Sequence, residues 1–332
     1  MESEVPLKVA TGIDDNYVLP FLVMVFSAKI NTTEKIHVTL GFDSNELSAS
    51  NQVLLFRVLR IIDVSFKFVE VSLSKSMEAR AHISSTSYSR LLLADKLSGL
   101  MLWLDSDLIC LPGWDSIFLD KGNLPNGMVM SVVRDELLSN QGAKYASRSS
   151  NESLKIMGSD YYNTGVALID CDMWKALNYP QKWPKLLEEA KVRGFQYADQ
   201  CVLNFLCQRQ VNYLPWAYNA LASAKNHGRN SSPFILHFAG GIKPWFYSIK
   251  DPRILAGRLF SRDVFKYLRY QSQLIEIVKT ENPVLGSILS QERKRIRRFF
   301  RESRILGVAK RTIRFLTSKD KVQKIKQKLS LE

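Results

Sequence analysis

The sequence predicts an α/β fold: a single Rossmann-like domain with a mostly parallel mixed sheet, followed by a basic helical tail. Two observations support this prediction. Short β-rich runs alternate with segments of helical periodicity over the first 110 residues, which is typical of a parallel sheet built from βαβ crossovers. The positive charge is concentrated outside that pattern, in the C-terminal segment 291–328.

The individual elements follow from local patterns. β-rich or continuously apolar runs predict strands, and apolar residues spaced three to four apart predict helices. The predicted strands are Val5–Ala10, Lys35–Leu40, Phe66–Val71, Met101–Leu104, Tyr162–Asp170 and Phe234–Phe238. The predicted helices are Tyr17–Lys29, Asn45–Ile62, Trp174–Arg193 and Asp199–Arg209. A loop containing glycine and proline follows the last strand, so we expect a domain over residues 1–270 and a tail over 271–332.

The net charge belongs to the tail. The chain has 332 residues, with 46 Lys and Arg against 32 Asp and Glu, a formal net charge of +14. Residues 291–328 contain 15 of these bases and three acids, so this segment alone carries +12. A hydrophobic content of 46% is high enough to exclude a wholly disordered chain. A partner that is attracted by the positive charge of the chain would therefore bind the tail.

The tail sequence predicts a basic amphipathic helix. Apolar residues recur among the bases at roughly helical intervals: Ile296, Phe299, Phe300, Ile305, Leu306, Ile313 and Leu316. Such a helix suits an anionic membrane surface. A helix packed on its own domain and a nucleic-acid-binding segment are the alternatives. We favour the membrane for residues 293–328 and expect no nucleic-acid partner, because the sequence has neither an RNP-type aromatic motif nor a zinc finger.

The expected location is the cytoplasm, on the inner face of the cytoplasmic membrane. The N-terminal run MESEVPLKVA lacks the apolar core of a signal peptide. The longest uncharged apolar stretch, residues 16–28, contains Pro20 and is too short to span a bilayer. The four cysteines form no CxxC pair and no zinc-finger spacing, so we expect reduced thiols.

Two carboxylates directly follow the central apolar strand. Asp105 and Asp107 are two residues apart, so on an extended segment their side chains point the same way. Ligands of open α/β sheets bind at the carboxyl ends of strands, and a divalent cation relieves the repulsion between paired carboxylates. Because a DxD pair alone is a weak signal, a solvated loop or a helix N-cap is the alternative.

A histidine ends the last predicted strand. His237 is followed by Gly240, Gly241 and Lys243. The glycines permit close approach of the backbone to a ligand, and Lys243 would bring a positive charge to a phosphate. Two carboxylates and one imidazole suit Mn²⁺ or a similar cation, with coordination positions left for diphosphate oxygens. The alternative for a lone strand histidine is a core residue.

Six motifs together resemble, in order and spacing, the retaining glycosyltransferases of family 8. They are Thr11–Tyr17, Tyr88–Arg90, Leu104–Asp107, Tyr162–Val166, Asp199–Gln200 and His237–Trp245. The resemblance covers about residues 6–250, and its most specific part is the closing HxxGxxKPW pattern. It implies a fold of the GT-A type. The family includes bacterial lipopolysaccharide α-galactosyl- and α-glucosyltransferases and glycogenin.

The resemblance also implies a role for each matching residue. It assigns Mn²⁺ to Asp105, Asp107 and His237. It assigns Asp14 and Asn16 to the uridine, although these residues taken alone favour a helix N-cap before Tyr17. The implied donor-binding residues are Gly12, Asp14, Asn16, Arg90, Asn163, Gly165, Gly240 and Lys243, with the last two at the diphosphate. Gln200 and Asp199 are the implied catalytic residues beside the sugar.

The expected function is Mn²⁺-dependent, retaining transfer of a hexose, glucose or galactose, from a UDP-sugar to a hydroxyl of a cell-surface glycan. Lipopolysaccharide or capsule, in a lipid-linked form, is the expected acceptor. A sugar nucleotidyltransferase is one alternative, but it requires a glycine-rich basic loop after the first strand, where this chain has the acidic Asp14 and Asp15. A non-enzymatic membrane or nucleic-acid adaptor is the other, and it leaves the three strand-end ligands without a role.

Overall fold

Strands and helices alternate along the computed structural model, which describes residues 6–73, 77, 85–135, 160–192, 198–222, 232–240, 243–247, 259–296 and 298. The strands are β1 Leu7–Gly12, β2 Ile36–Phe42, β3 Ser65–Glu70, β4 Leu100–Leu104, β5 Leu108–Cys110, β6 Met130–Arg134, β7 Tyr162–Asp170, β8 Val211–Tyr213, β9 Ala220–Leu221 and β10 Ile235–His237. The helices are α1 Val18–Ile30, α2 Ala49–Ile61, α3 Ser89–Lys96, α4 Ser116–Leu119, α5 Cys171–Ala176, α6 Tyr179–Val192, α7 Ala198–Leu206, α8 Leu259–Glu281 and α9, residues 283–296. Short 3₁₀ turns cover Ser85–Tyr88, Lys121–Asn123, Trp216–Asn219 and Pro244–Phe246.

The central sheet has seven strands in the order β3-β2-β1-β4-β7-β6-β8. β1 pairs in parallel with both β2 and β4, and β2 pairs in parallel with β3. β7 runs antiparallel between β4 and β6, and β8 is parallel to β6. This confirms the predicted α/β class with a mixed, mostly parallel sheet. The chain winds outwards from β1 on one side and continues at β4 on the other, which opens a crevice at their carboxyl ends.

A second, three-stranded sheet brings the distant His237 to that crevice. β10 lies between β5, to which it is antiparallel, and β9, to which it is parallel. His237 pairs with Leu108, and the backbone N–H of Phe238 donates to the carbonyl of Asp107 at 2.9 Å. Backbone pairing therefore fixes the end of β10 beside the Asp105–Asp107 segment.

A register shift shapes the middle of β7. Val132 of β6 pairs with Ala167, but the next residue, Val133, pairs with Asn163. Within this described pairing, residues 164–166 of β7 have no partner in β6. Such irregularities locally end strand pairing and redirect side chains, and they are common beside active sites. Here the shift lies at Gly165, next to Asp105.

Helix α1 is the apolar stretch that the sequence shows at residues 16–28. Its residues from Val18 to Ala28 are all buried, which is expected of a helix that is apolar on every side and packed within a core. Pro20 lies in the first turn, where a missing N–H costs no intrahelical bond. Among the described residues, no helix combines the length and the apolar character needed to cross a membrane.

The C-terminal helices pack on α1 and share its core. The buried side chains of α8 and α9 in this cluster are Val264, Tyr267, Leu268, Leu274, Ile275, Val278, Leu285, Leu289 and Ile296. Residue 270, where we expect the domain to end, lies inside α8. Ile296 is 1% exposed, so this member of the predicted membrane-facing stripe is a core residue. The remaining residues of the stripe, from Phe299 onwards, lie outside the described residues.

One predicted helix is two helices. The segment predicted as Trp174–Arg193 forms α5 and α6, separated by Asn178 with a φ of 58°. A residue with this left-handed conformation cannot continue a right-handed helix.

All four cysteines are buried and free, as expected for reduced thiols.

Candidate active site

Three predicted ligands meet at the carboxyl ends of β4 and β10. Asp105 follows β4, Asp107 precedes β5, and His237 ends β10. His237 Nε2 lies 3.1 Å from Asp107 Oδ1 and 3.9 Å from Asp105 Oδ2. One ligand atom from each side chain lies within 4.8 Å of the other two. The three side chains are thus placed to share one cation.

Hydrogen bonds determine which nitrogen of His237 faces the carboxylates. The backbone N–H of Gly165 donates to Asn163 Oδ1 at 2.9 Å, which identifies that atom as an acceptor. Asn219 Nδ2 donates to the same oxygen at 2.9 Å, so Asn219 Oδ1 is the atom 2.9 Å from His237 Nδ1. Nδ1 must then be the donor in that hydrogen bond, and Nε2 faces Asp105 and Asp107.

This arrangement fits a divalent cation. A neutral imidazole with its proton on Nδ1 turns the Nε2 lone pair towards two carboxylates, and three electron-pair donors aimed at one point repel each other unless a cation lies between them. Carboxylate oxygen and imidazole nitrogen together suit Mn²⁺ and related ions. Asn219 plays the supporting part that a hydrogen-bond acceptor usually plays behind a metal-binding histidine.

A buried lysine lies against the same carboxylates. Lys243 Nζ hydrogen-bonds to Asp107 Oδ2 and to the carbonyl of Phe238, the latter at 3.0 Å. Burial raises the pKa of Asp107, but the charge of Lys243 and the contacts of Asp107 with Lys243 and His237 lower it by more, so that its net pKa falls well below the usual range. Asp107 is therefore a carboxylate at neutral pH. Lys243 supplies a positive charge within reach of any anion bound there.

Two predicted donor residues are glycines because neighbouring groups approach them closely. A Cβ added to Gly165 would come within 2.7 Å of His237 Nδ1 and 2.9 Å of Asp105 Oδ2. A Cβ added to Gly12 would lie 3.0 Å from Ser89 Oγ and would overlap the carbonyl oxygen of Thr86. Gly165 thus makes room for the ligand side chains. Gly240, by contrast, has open space around it and a φ of 90°, so there the backbone conformation calls for glycine.

Arg90 joins the metal-ligand cluster to the predicted catalytic residues. It is buried, with Nη2 3.0 Å from Asp105 Oδ1 and Nε 2.8 Å from Asp199 Oδ2. Its guanidinium also stacks over the Trp103 ring at 5.0 Å and donates to the Thr164 carbonyl. Burial raises the pKa of Asp199, and Arg90 opposes that rise. Arg90 therefore sets the positions of two acids at the edge of the site.

Gln200 is held by hydrogen bonds at both ends of its amide. The backbone N–H of Thr164 donates to Oε1 at 3.3 Å, and Nε2 donates to the Tyr161 hydroxyl at 3.2 Å. Because Thr164 adjoins Gly165, Gln200 lies along β7 beside the ligand cluster. Its carbonyl oxygen is thus presented at a fixed position near Asp105 and Asp199.

The loop after β1 is organised by its own carboxylates. Asp14 Oδ1 accepts from the backbone N–H groups of Asn16 and Tyr17 at 2.8 and 3.2 Å. The N-cap of α1 is Tyr17, which makes no side-chain capping hydrogen bond, so Asp14 orders the loop and does not cap the helix. Asp15 Oδ1 accepts from Ser48 and Asn51. Burial raises the pKa of Tyr17, and nearby Asp107, Asp14 and Asp105 raise it further. The Tyr17 hydroxyl therefore lies among the acids of both the loop and the ligand cluster.

Sequence reasoning gave no role to Tyr17 or Asn219. Tyr17 ends the Thr11–Tyr17 motif, and its position next to the acidic Asp14 and Asp15 was the feature of the sequence that could have marked it as a site residue. Asn219 acts on residues 18 and 56 positions away in the chain. No local pattern marks such a residue.

Comparisons with known proteins find similar glycosyltransferases. A profile described as glycosyl transferase family 8 matches residues 8–248. The chain is 26% identical over 258 residues to a lipopolysaccharide 1,2-glucosyltransferase of Escherichia coli K12, and 24% identical over 252 residues to a lipopolysaccharide 1,3-galactosyltransferase of Salmonella typhimurium; each match covers 72% of both chains. The solved structure of the galactosyltransferase LgtC with donor and acceptor sugar analogues superposes with a TM-score of 0.64 at 19% identity, covering 80% of this chain and 96% of LgtC. That likeness shows a common fold.

Proposed function

The chain belongs to glycosyl transferase family 8, and on that premise we propose that it transfers glucose or galactose, with retention, from a UDP-sugar to a hydroxyl of a lipopolysaccharide or similar cell-surface glycan. The observation that carries the proposal is the convergence of Asp105, Asp107 and His237 beside Lys243. Such a site combines ligands for a cation with a buried positive charge, and a nucleotide diphosphate needs both. The glucosyl- and galactosyltransferase activities of the two relatives support the donor and acceptor classes.

Asp105, Asp107 and His237 would hold Mn²⁺ or a similar divalent cation. When bound, such a cation supplies a Lewis acid that stabilises negative charge on the departing UDP. Lys243 adds a second positive charge on the same side, held in place by Asp107 and the Phe238 carbonyl. Hydrogen bonding from His237 Nδ1 to Asn219 keeps Nε2 directed at the site throughout.

On the sugar side, Gln200 would stabilise the positive charge that develops at the anomeric carbon. Its Oε1 is fixed by the Thr164 N–H and is a weak nucleophile, so we assign it electrostatic stabilisation and no covalent step. Asp199 adds negative charge nearby, and Arg90 fixes its position. Asn163, Gly165 and Arg90, which we also assign to donor binding, connect these groups to the ligand cluster: Gly165 donates to Asn163, and Arg90 pairs with Asp105.

The decisive experiment measures the release of UDP from a panel of UDP-hexoses, with Mn²⁺ or with excess EDTA, in the presence of lipopolysaccharide acceptor. We expect Mn²⁺-dependent release from UDP-glucose or UDP-galactose and incorporation of that hexose into the acceptor. The competing nucleotidyltransferase function predicts pyrophosphate release from UTP and a sugar phosphate instead. The acidic loop at Asp14 and Asp15 disfavours it, because that function requires a glycine-rich basic loop after the first strand.

Asp14 tests the uridine assignment. Asp14→Ala is expected to raise the donor KM about tenfold with little change in kcat, because a contact far from the anomeric carbon contributes uniform binding. Asp14 also accepts two backbone hydrogen bonds within its loop. Asp14→Asn, which keeps that acceptor oxygen and removes the charge, separates the two effects. A loss of kcat at an unchanged donor KM would move Asp14 into the chemistry and refute the assignment.

We further propose that residues 293–328 hold the enzyme on the anionic inner face of the cytoplasmic membrane, next to a lipid-linked acceptor. The support is the net charge of +12 over 291–328. Lys294 and Arg298 are exposed, whereas Ile296 is buried. The apolar part of the proposed membrane contact therefore falls on the residues after 298.

Truncation tests this membrane proposal. A chain ending at residue 298 retains α8 and α9, which share the core with α1. We expect it to keep donor hydrolysis, to lose cosedimentation with anionic vesicles, and to lose more activity on lipid-linked acceptor than on a soluble analogue. Each base at an anionic surface contributes about 1 kcal/mol before screening by salt. Equal cosedimentation of the full chain with neutral and anionic vesicles, insensitive to salt, would contradict the electrostatic anchor.

A further inference from the structure

The last described helix, α9, ends on the loop that follows β1. Arg295 Nη2 donates to the backbone carbonyl of Asp15 at 2.5 Å. The guanidinium is itself held by Glu292, whose carboxylate accepts from Nε at 2.8 and 3.0 Å and from Nη2 at 2.6 Å. The two residues joined by this contact are 280 positions apart. The C-terminal helix therefore reaches the loop proposed to bind uridine.

The preceding helix, α8, supports the segment that carries His237 and Lys243. The ring of Tyr267 in α8 packs against Phe238 and Trp245 at centroid distances of 5.6 and 5.8 Å. Trp245 in turn makes an edge contact with Tyr17 at 5.8 Å. The segment that carries His237 and Lys243 and the loop after β1 are thus linked to each other through aromatic rings, and both rest on the C-terminal helices.

The charge of Arg295 opposes a local excess of acid. Burial raises the pKa of Glu46, and the neighbouring carboxylates of Asp14, Asp43 and Asp15 raise it further. Hydrogen bonds to Glu292 raise the pKa of Arg295, and Asp15 and Asp14 add to the rise. A diphosphate approaching the loop would be repelled by its carboxylates, and Arg295 is a positive charge fixed against that loop.

We propose that Arg295 is a positioning residue for the nucleotide donor. It holds the backbone of the Asp14–Asn16 loop through Asp15 and offsets the negative charge of that loop, so the C-terminal helix sets donor affinity. Arg295 acts through the loop and does not contact the reacting atoms. This proposal rests on the proposed function, since it assumes that the loop binds the nucleotide.

The test compares Arg295→Gln with Lys279→Gln in the full-length chain. Both variants remove one exposed positive charge that pairs with a glutamate three residues earlier, but only Arg295 also holds Asp15. For Arg295→Gln we expect the Kd of UDP, measured by calorimetry with Mn²⁺, and the donor KM to rise about three- to tenfold, the effect of one net hydrogen bond. kcat and the acceptor KM should stay within about twofold, as positioning of the donor alone requires. Lys279→Gln should leave all four quantities within about twofold of wild type.

A second variant separates positioning from simple destabilisation. Arg295→Lys keeps the positive charge and removes the guanidinium group that contacts both Glu292 and Asp15, so we expect a smaller rise in the Kd of UDP in the same direction. Binding is measured at a temperature at which circular dichroism shows all variants folded. Equal UDP affinity of Arg295→Gln and wild type overturns this proposal and leaves hexose transfer untouched. A wild-type chain that binds UDP but transfers no hexose overturns the proposed function, and the comparison of UDP affinities still decides the role of Arg295. A wild-type chain that does not bind UDP overturns both the proposed function and the role of Arg295.

Discussion

Asp105→Asn, Asp107→Asn and His237→Ala are each expected to reduce sugar transfer by about 10³-fold or more while the protein stays folded. Each removes one of three converging ligand atoms, and several kcal/mol of leaving-group stabilisation depend on the cation that they would share. The measurement is UDP release at increasing Mn²⁺ together with Mn²⁺ affinity by electron paramagnetic resonance. The variants should bind Mn²⁺ more weakly than wild type, with folding checked by circular dichroism.

Loss of Asp107 and loss of Asp105 are expected to lower the stability of the protein by different amounts. Asp107 pairs with Lys243, which is buried at 5% exposure, so Asp107→Ala would leave an ammonium without its carboxylate. Asp105 pairs with Arg90, which retains Asp199. We therefore expect Asp107→Ala to lower the unfolding temperature more than Asp105→Ala does.

Asp63→Asn is the matched control for the ligand variants. Asp63 is an exposed acid that pairs with Lys29 at 3.2 Å, and its φ of 53° suits asparagine. It should leave activity and Mn²⁺ affinity unchanged. Full turnover of a UDP-sugar by the wild-type chain in excess EDTA would show that the metal assignment is wrong, whatever the variants do.

Asp105, Asp107 and His237 could be predicted from the sequence, because each is recognised from the residues next to it in the chain. Asp105 and Asp107 stand directly after an apolar strand, and His237 ends another. In an α/β sheet the ends of neighbouring strands meet at one edge. The pairing of β10 with β5 then brings His237 to Asp107 through the backbone alone. Asp105 therefore lies where the fold class places it, whereas His237 reaches the cluster through a second sheet that the fold class does not specify.

The network behind the ligands could not be predicted in this way. The hydrogen bonds from Gly165 through Asn163 and Asn219 to His237 join three separate elements. The Arg295–Asp15 contact joins residues near opposite ends of the chain. No hydrophobic periodicity or residue spacing in the sequence predicts such contacts, because they depend on how the folded strands and helices pack together.

The basic C-terminal segment shows a different limit. A stripe of apolar residues between bases fits a membrane surface and a protein core equally well. Ile296 belonged to the predicted stripe and lies in the core with Leu285 and Leu289. Only the position of the core relative to α9 decides between these alternatives, and that position is a property of the whole fold.

Gly165→Ala is expected to reduce kcat/KM by about 10²-fold or more and Mn²⁺ affinity by about tenfold to a hundredfold, the range seen when the support of a metal ligand is disturbed. Gly165 lies in strand β7, whose backbone conformation suits alanine, so the cost is steric. The added methyl group would stand 2.7 Å from His237 Nδ1 and 2.9 Å from Asp105 Oδ2. His237 would have to turn, which breaks its hydrogen bond to Asn219 and moves Nε2 away from the carboxylates. Mn²⁺ affinity and steady-state kinetics measure both effects.

Gly127→Ala is the control with the opposite properties. Gly127 has a φ of 85°, which strains alanine, but no atom lies within 4 Å of the added Cβ. It should lower stability by about 1 kcal/mol and leave Mn²⁺ affinity and kcat/KM unchanged. If Gly165→Ala instead lost stability and kept wild-type Mn²⁺ affinity, the crowding would be relieved elsewhere in β7. His237 would then not depend on the space that Gly165 provides.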